Sequence, residues 1–190
     1  MLGSVARKLR IFGFDTLYTA HIPDSEILKI GAELDRIVLT CDRELFKRVV
    51  KAGIRGVLLN GSGDYEDLLH IFSKCGIASV NFDAVKSRCS ACNGSLIEKK
   101  PFEVKDRVPD NVAMQYKEFF ECTKCSKVYW EGGHLKRIRA LARKIDAGLK
   151  YKTPEEDKEK NEREMDKEKE REGEKKRGRK ATMGKGALAA

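Results

Sequence analysis

Two cysteine pairs, Cys89-Ser-Ala-Cys92 and Cys122-Thr-Lys-Cys125, constrain what this chain can fold into more than any other feature. Each CxxC lets two thiolates reach one metal ion from a single tight turn. Two such turns supply the four sulfurs that tetrahedral zinc prefers. Arg88 and Asn93-Gly94 flank the first pair and Ser126 follows the second, the neighbours that a zinc ribbon uses. The 29 residues between the pairs exceed the compact spacing. They leave room for strands around Leu96-Ile97 and Phe102-Glu103-Val104, and for a short helix. The competing reading is two disulfides or a redox dithiol; two matched knuckles without other framework cysteines weigh against it. Four cysteines close the coordination shell, so the expected zinc is structural.

At 190 residues the chain has length for one modest domain and a small module, not for two large cores. No stretch approaches a membrane span, and the N-terminus lacks an apolar signal region. Six cysteines without such a signal point to a reducing cytoplasm, where thiols bind metal rather than oxidise. The net charge of +9 is unevenly spread. Residues 1–87 carry 12 basic and 11 acidic side chains, residues 88–150 carry 14 and 8, and the remainder 13 and 11. The surplus therefore sits on the cysteine module and the helix after it, where Lys136, Arg137, Arg139, Arg143, Lys144 and Lys150 cluster. A polyanion is one natural partner, because neutralised phosphates release counterions. A merely solvated basic helix fits the charge equally well.

Residues 1–80 read as alternating helices and strands. Val5, Leu9 and Phe12 share a helical face that ends at Gly13. Asp15-Thr-Leu-Tyr-Thr19 has a short strand's composition. Asp24 stands where an N-cap belongs, ahead of Ile27, Ile30 and Leu34 on one face. Arg36-Ile-Val-Leu-Thr40 is an apolar run typical of a buried parallel strand. Asp42 then opens a helix carrying Leu45, Phe46, Val49 and Val50, closed by Gly53. A strand at 56–60 and a helix at 65–75 complete the pattern, which predicts an α/β parallel sheet with flanking helices. The expected order is thus an α/β domain at 1–84, a four-cysteine zinc ribbon at 85–134, a basic helix at 135–150 and a charged tail at 151–190. Within that tail, 152–180 is a Leu-free run of Glu, Lys and Arg that buries too little apolar surface to fold alone, so disorder is expected. Its Lys176-Arg-Gly-Arg-Lys180 resembles a minor-groove arm but reads equally as an electrostatic tether.

In an open α/β sheet, active-site residues gather at the C-terminal ends of the strands. Asp42 falls there, and Asp24 begins the preceding helix. Carboxylates converging on that edge bind Mg²⁺ or Mn²⁺, which favour oxygen ligands. The competing reading is two helix N-caps, since Asp is among the best capping residues.

A resemblance bears on that choice. Met1-Leu-Gly-Ser-Val-Ala-Arg-Lys-Leu-Arg-Ile-Phe-Gly-Phe-Asp-Thr16, Asp24-Ser-Glu-Ile-Leu28 and Arg36-Ile-Val-Leu-Thr-Cys-Asp-Arg-Glu-Leu45 occur in order. Arg88-Cys-Ser-Ala-Cys-Asn93, Arg107-Val-Pro109 and Cys122-Thr-Lys-Cys-Ser-Lys-Val-Tyr-Trp-Glu-Gly-Gly-His134 come next at fitting spacing. Together they resemble the Mut-7 C-terminal RNase domain family, PIN-like nuclease domains fused to a zinc ribbon. The resemblance spans about residues 1–140. It implies a PIN-like fold and metal-dependent RNA cleavage, with Asp24 and Asp42 as catalytic, Mg/Mn-binding acids and Arg7 and Arg43 as phosphate contacts. Family members open with one more strand, ending in an aspartate just ahead of the Met-Leu-Gly motif. Here the sequence starts at that methionine, so the resemblance implies either a native start upstream of Met1 or an inert relative. The intact apolar faces favour the upstream start. Lys8 and Cys41 replace the family's usual Trp and Arg.

Trp130 and His134, beside Tyr129 and two glycines, can stack an unpaired base and contact its phosphate, or simply pack the ribbon. Cys41 and Cys75 read as core thiols, His21 and His70 as ordinary residues, and Gly61-Ser-Gly63 as a plain turn. The functional expectation is a cytoplasmic metal-dependent RNase whose ribbon and basic helix, through Trp130, His134, Lys136 and Arg137, hold RNA. The alternatives are a non-catalytic RNA- or ribosome-associated binder and a DNA-binding regulator.

Overall fold

The fold comes from a computed structural model that describes residues 2–151. The charge-dense run at 152–180 and its Lys-Arg-Gly-Arg-Lys stretch lie outside the described residues. By contact the chain divides into Met1–Leu149 and Lys150–Ala190. The first unit is a mixed α/β fold with one small parallel sheet and one small antiparallel sheet. Among the described residues no helix is long and apolar enough to cross a membrane.

Helices α1 (Leu2–Ile11) and α2 (Asp24–Glu33) precede strand β1 (Val38–Thr40). Helix α3 (Arg43–Lys51) crosses to strand β2 (Gly56–Leu58), and α4 (Asp64–Lys74) follows. The strands run parallel, with Val38 opposite Gly56 and Thr40 opposite Leu58. Side chains alternate across a strand, so the pair feeds two cores. Val38 points to one face and packs with Leu45 and Val49 of α3, beside Ile27 and Leu28 of α2. Val57 and Leu59 point to the other and pack with Val5 and Leu9 of α1 and with Leu68, Ile71 and Phe72 of α4. Helices thus cover both sheet faces, the arrangement a parallel pair needs.

The second sheet has the order β3-β4-β5, all antiparallel: β3 (Leu96–Lys99), β4 (Phe119–Cys122) and β5 (Val128–Trp130). Between β3 and β4 come α5 (Pro101–Val104), a 3-10 turn at Lys105–Arg107 and α6 (Asp110–Gln115). Val104, Val108 and Phe119 form a small core there, with Trp130 packed against it. Helix α7 (Gly133–Tyr151) closes the order. Its Ile145 is fully buried in the same core as Val5, Leu68 and Phe72, so this helix is built into the α/β domain.

Two expected strands do not form. Segment 15–19 has no strand partner among the described residues, and the peptide groups of Thr16 are taken by side chains. The Thr16 amide donates to Asn93 Oδ1 and its carbonyl accepts from Arg10 Nε. The expected strand at 102–104 is helical, because Pro101 occupies the first helical position and the Glu103 carboxylate accepts the Lys100 amide at 2.7 Å. A third difference concerns Asp24. The helix it was expected to cap is opened by the Pro23 carbonyl, which accepts from Glu26 and Ile27, and Asp24 makes no cap hydrogen bond.

Candidate metal centre and carboxylate edge

The four cysteines come together. Their Sγ atoms all lie within 4.8 Å of one another. Cys89 and Cys125 sulfurs are 3.6 Å apart and those of Cys92 and Cys122 are 3.4 Å apart. A disulfide needs about 2.05 Å, so these pairs are not bonded. A tetrahedron with sulfurs about 2.3 Å from zinc has edges of about 3.8 Å, and the observed separations suit it. The donor set, all sulfur and four in number, therefore fits zinc.

The two knuckles repeat one backbone device. The Asn93 amide donates to the Cys89 carbonyl and the Cys89 amide to the Gly94 carbonyl. In the second knuckle the Ser126 amide donates to the Cys122 carbonyl and the Cys122 amide to the Lys127 carbonyl. Each turn closes on a left-handed residue directly after its second cysteine, Asn93 (φ 67°) and Ser126 (φ 57°). Amides then point at sulfur: Cys92 N at Cys89 Sγ, and Lys124 N and Cys125 N at Cys122 Sγ. Such donors favour thiolate over thiol. Gly94 has no room for a side chain, since a Cβ there would fall 2.7 Å from Cys122 Sγ.

The surroundings set Cys89 and Cys92 apart. Burial opposes ionisation of Cys89, but hydrogen bonds from the Tyr129 hydroxyl and the Cys92 and Ala91 amides outweigh it and bring the thiol down to about 6. At Cys92 the Gly94 amide favours the thiolate, yet desolvation and the neighbouring sulfurs push it up to about 12. Without metal the cluster therefore keeps protons that a zinc ion would have to displace. The Tyr129 hydroxyl lies 3.0 Å from Cys89 Sγ and 3.4 Å from Ser90 Oγ. Tyr129→Phe is expected to weaken zinc retention about tenfold, the usual cost of losing a partner one shell out. Competition with a zinc-binding dye reads this directly, and unchanged retention would show that the hydroxyl does not support the site.

A second ring of residues ties the first knuckle to α1; the sequence expectations named Arg88 and Asn93 beside the cysteines but gave Arg10 and Asp15 no part there. Arg10 is 5 % exposed, and its Nη1 donates to the carbonyls of Ser90 and Ala91, both at 3.1 Å. The Arg88 amide donates to the Arg10 carbonyl. Asn93 Nδ2 donates to Asp15, whose carboxyl that bond and the Arg36 hydrogen bond hold below its ordinary range.

The acids occupy different surroundings. Asp42 caps α3: its Oδ1 accepts from the Glu44 and Leu45 amides at 2.7 and 3.1 Å, and its Oδ2 makes no hydrogen bond among the described residues. Asp24 Oδ2 accepts from Arg48 at 2.9 Å. Arg48 lies six residues beyond Asp42, about 9 Å along α3. Among the described residues neither acid belongs to a group of three or more close metal-capable side chains; the four cysteines do.

Two further acids follow β2 at the same edge of the parallel pair as Asp42. Asp64 Oδ2 accepts from Ser4 Oγ at 2.9 Å and from Lys8 Nζ, which also donates to Ser4. Burial alone would raise this carboxyl; the Lys8 and Ser4 hydrogen bonds, with the charges of Lys8 and Arg7, hold it low. Asp67 is buried, and desolvation raises its carboxyl against a lowering bond from the Gly61 amide. Its charge in turn helps raise the Cys41 thiol, after burial, so Asp67 of α4 lies near the residue that follows β1. Their position after the apolar run of β2 and Leu59 was the signal that marks them.

Of the other expected contacts, Arg7 is exposed and near enough to Asp64 to act on it. Arg43 is exposed at the first position of α3. Trp130 packs half-buried on the ribbon core, while His134, Lys136 and Arg137 are exposed on α7. Cys41 and Cys75 are part-buried core thiols. Compared with known proteins, the chain matches the family described as Mut7-C RNAse domain over residues 1–142. No curated protein and no solved structure matches it.

Proposed function

The chain belongs to the Mut7-C RNAse domain family, and on that premise we propose that it is a metal-dependent ribonuclease with a PIN-like α/β domain. Its zinc ribbon and α7 hold the RNA. The observation that carries this reading is Asp42, which stands two residues after β1 and keeps one carboxylate oxygen free of its capping bonds. It shares its edge with Asp64 and Arg7. The carboxylates of Asp42 and Asp64 match Mg²⁺ or Mn²⁺ in kind, offering oxygen only. Asp42 would hold the ion, with Asp24 joining once released from Arg48. When bound, the ion supplies an activated water and neutralises charge on the attacked phosphate. Arg7 and Arg43 bind phosphate oxygens beside it, and Lys136 and Arg137 the RNA backbone. Trp130 and His134 take an unpaired base.

Asp42→Asn isolates the chemistry from the fold, because asparagine caps a helix about as well as aspartate. The expected result is divalent-dependent cleavage of single-stranded RNA that falls by about a hundredfold or more in the variant, with unchanged melting. Equal cleavage by both proteins removes the nuclease assignment from this edge. One observation favours a second reading, a non-catalytic RNA- or ribosome-associated binder: Asp24 and Asp64 are already paired with Arg48 and Lys8. That reading expects RNA binding without cleavage in either protein.

A further inference from the structure

The basic charge of α7 is not equally available along its length. Lys136, Arg137, Arg139, Arg143 and Lys144 are all exposed. Arg139, however, pairs with Glu131 and lies over the Phe82 ring. Lys144 Nζ sits 3.9 Å from the centre of the Tyr65 ring. Lys136, Arg137 and Arg143 make no ion pair among the described residues. Seven residues, two helical turns, separate Lys136 from Arg143, so both stand on one face about 10.5 Å apart. Between them is exposed Ala140, which leaves the ridge low.

The helix carrying this ridge is fixed at both ends of its course. It begins three residues after Trp130, at the end of the ribbon sheet. Further along, Ile145 is buried in the main core, and Gly148 meets Tyr65 so closely that a Cβ would fall 2.8 Å from the Tyr65 hydroxyl. Tyr65 directly follows Asp64, at the first turn of α4. The ridge therefore runs from the ribbon toward the carboxylate edge.

We propose that Lys136 and Arg143, with Arg137 beside them, form a track for the phosphates of single-stranded RNA, leading the strand from the ribbon to the edge bearing Asp42 and Asp64. The proposal rests on the RNase reading and adds to it a path and a residue, Arg143. A single line of cations meets one backbone, whereas a duplex presents two. Arg139 and Lys144 are excluded from the track, since each already has a partner in the fold.

Binding of a fluorescent oligouridine, titrated over salt, tests it. The measurement uses the Asp42→Asn protein without added divalent metal, so cleavage does not enter. Each phosphate contact to a single strand contributes about 0.7 to the slope of log affinity against log salt. Adding Lys136→Ala and Arg143→Ala is expected to lower that slope by about 1.4, while zinc content and melting stay as before. Arg139→Ala is expected to leave it nearly unchanged. An unaltered slope in the double variant overturns the track. So does an RNA duplex that binds as tightly as the single strand and loses as much. A lost slope here, together with no divalent-dependent cleavage by the unsubstituted protein, would keep the track and remove only the nuclease reading.

Discussion

Cys122→Ser is expected to abolish zinc binding, from about one ion per chain to none, and to unfold the ribbon at about 88–131. Structural zinc sites supply folding free energy on the order of 10 kcal/mol, far above what the three-residue core of Val104, Val108 and Phe119 provides. The effect should not stop at the ribbon. Arg10, Asp15 and Thr16 take their partners from the first knuckle: Ser90 and Ala91 carbonyls for Arg10, and the Asn93 side chain for the other two. When the knuckle loses its shape, the C-terminal turn of α1 and the segment behind it lose those bonds. The core of Val38, Leu45 and Val49 lies on the opposite face of the sheet and touches none of these residues. Hydrogen exchange read along the chain should therefore rise at 88–131 and at 8–16, and least at 43–51. Retained zinc would sink the four-cysteine site. Lost zinc with unchanged exchange at 8–16 would sink the coupling to α1.

That coupling marks where the sequence was informative and where it was not. The ligand set was legible because CxxC geometry is local: four residues determine which sulfurs face one point. Asp42 was legible for the same reason, as a capping residue at the end of an apolar run. The strand expected at 15–19 failed on a non-local fact: the Asn93 side chain accepts the Thr16 amide, and Arg10, itself held by the Ser90 carbonyl, takes the Thr16 carbonyl. Segment 102–104 misled by composition. Phe and Val are strand-forming residues, but Pro101 and Glu103 carry a helix start that outweighs them. β4 and β5 had a readable signal, the Phe119-Phe120 and Val128-Tyr129-Trp130 runs on either side of the second knuckle. Asp64 and Asp67 drew no expectation from the sequence. Only the parallel register of β1 and β2 brings them to the edge of Asp42.

Arg10→Ala should be the most costly substitution outside the cysteines. The guanidinium is buried, and three carbonyls accept from it: Thr16 at 2.9 Å, Ser90 and Ala91 at 3.1 Å each. Hydrogen bonds from a charged donor contribute about 1.5–3 kcal/mol each, and acceptors left buried and unpaired add to the cost. A loss of about 3–5 kcal/mol is expected once neighbouring groups relax. For a domain of this size that lowers the melting temperature by roughly 6–20 °C. Exposed Arg55, paired with Asp35 at 2.9 Å, provides the contrast. That pair is open to water and screened, so Arg55→Ala should cost about 0–1 kcal/mol. Charge sharpens the distinction. Four thiolates on one Zn²⁺ leave the knuckle doubly negative, and the Arg10 cation sits behind the two residues that separate Cys89 from Cys92. Arg10→Lys keeps the charge but not the fork that reaches several carbonyls at once, so it should fall between wild type and alanine. Zinc retention against a chelator should follow the same order, wild type above lysine above alanine. Melting and retention that ranked alanine equal to wild type would mean the knuckle holds its shape without α1.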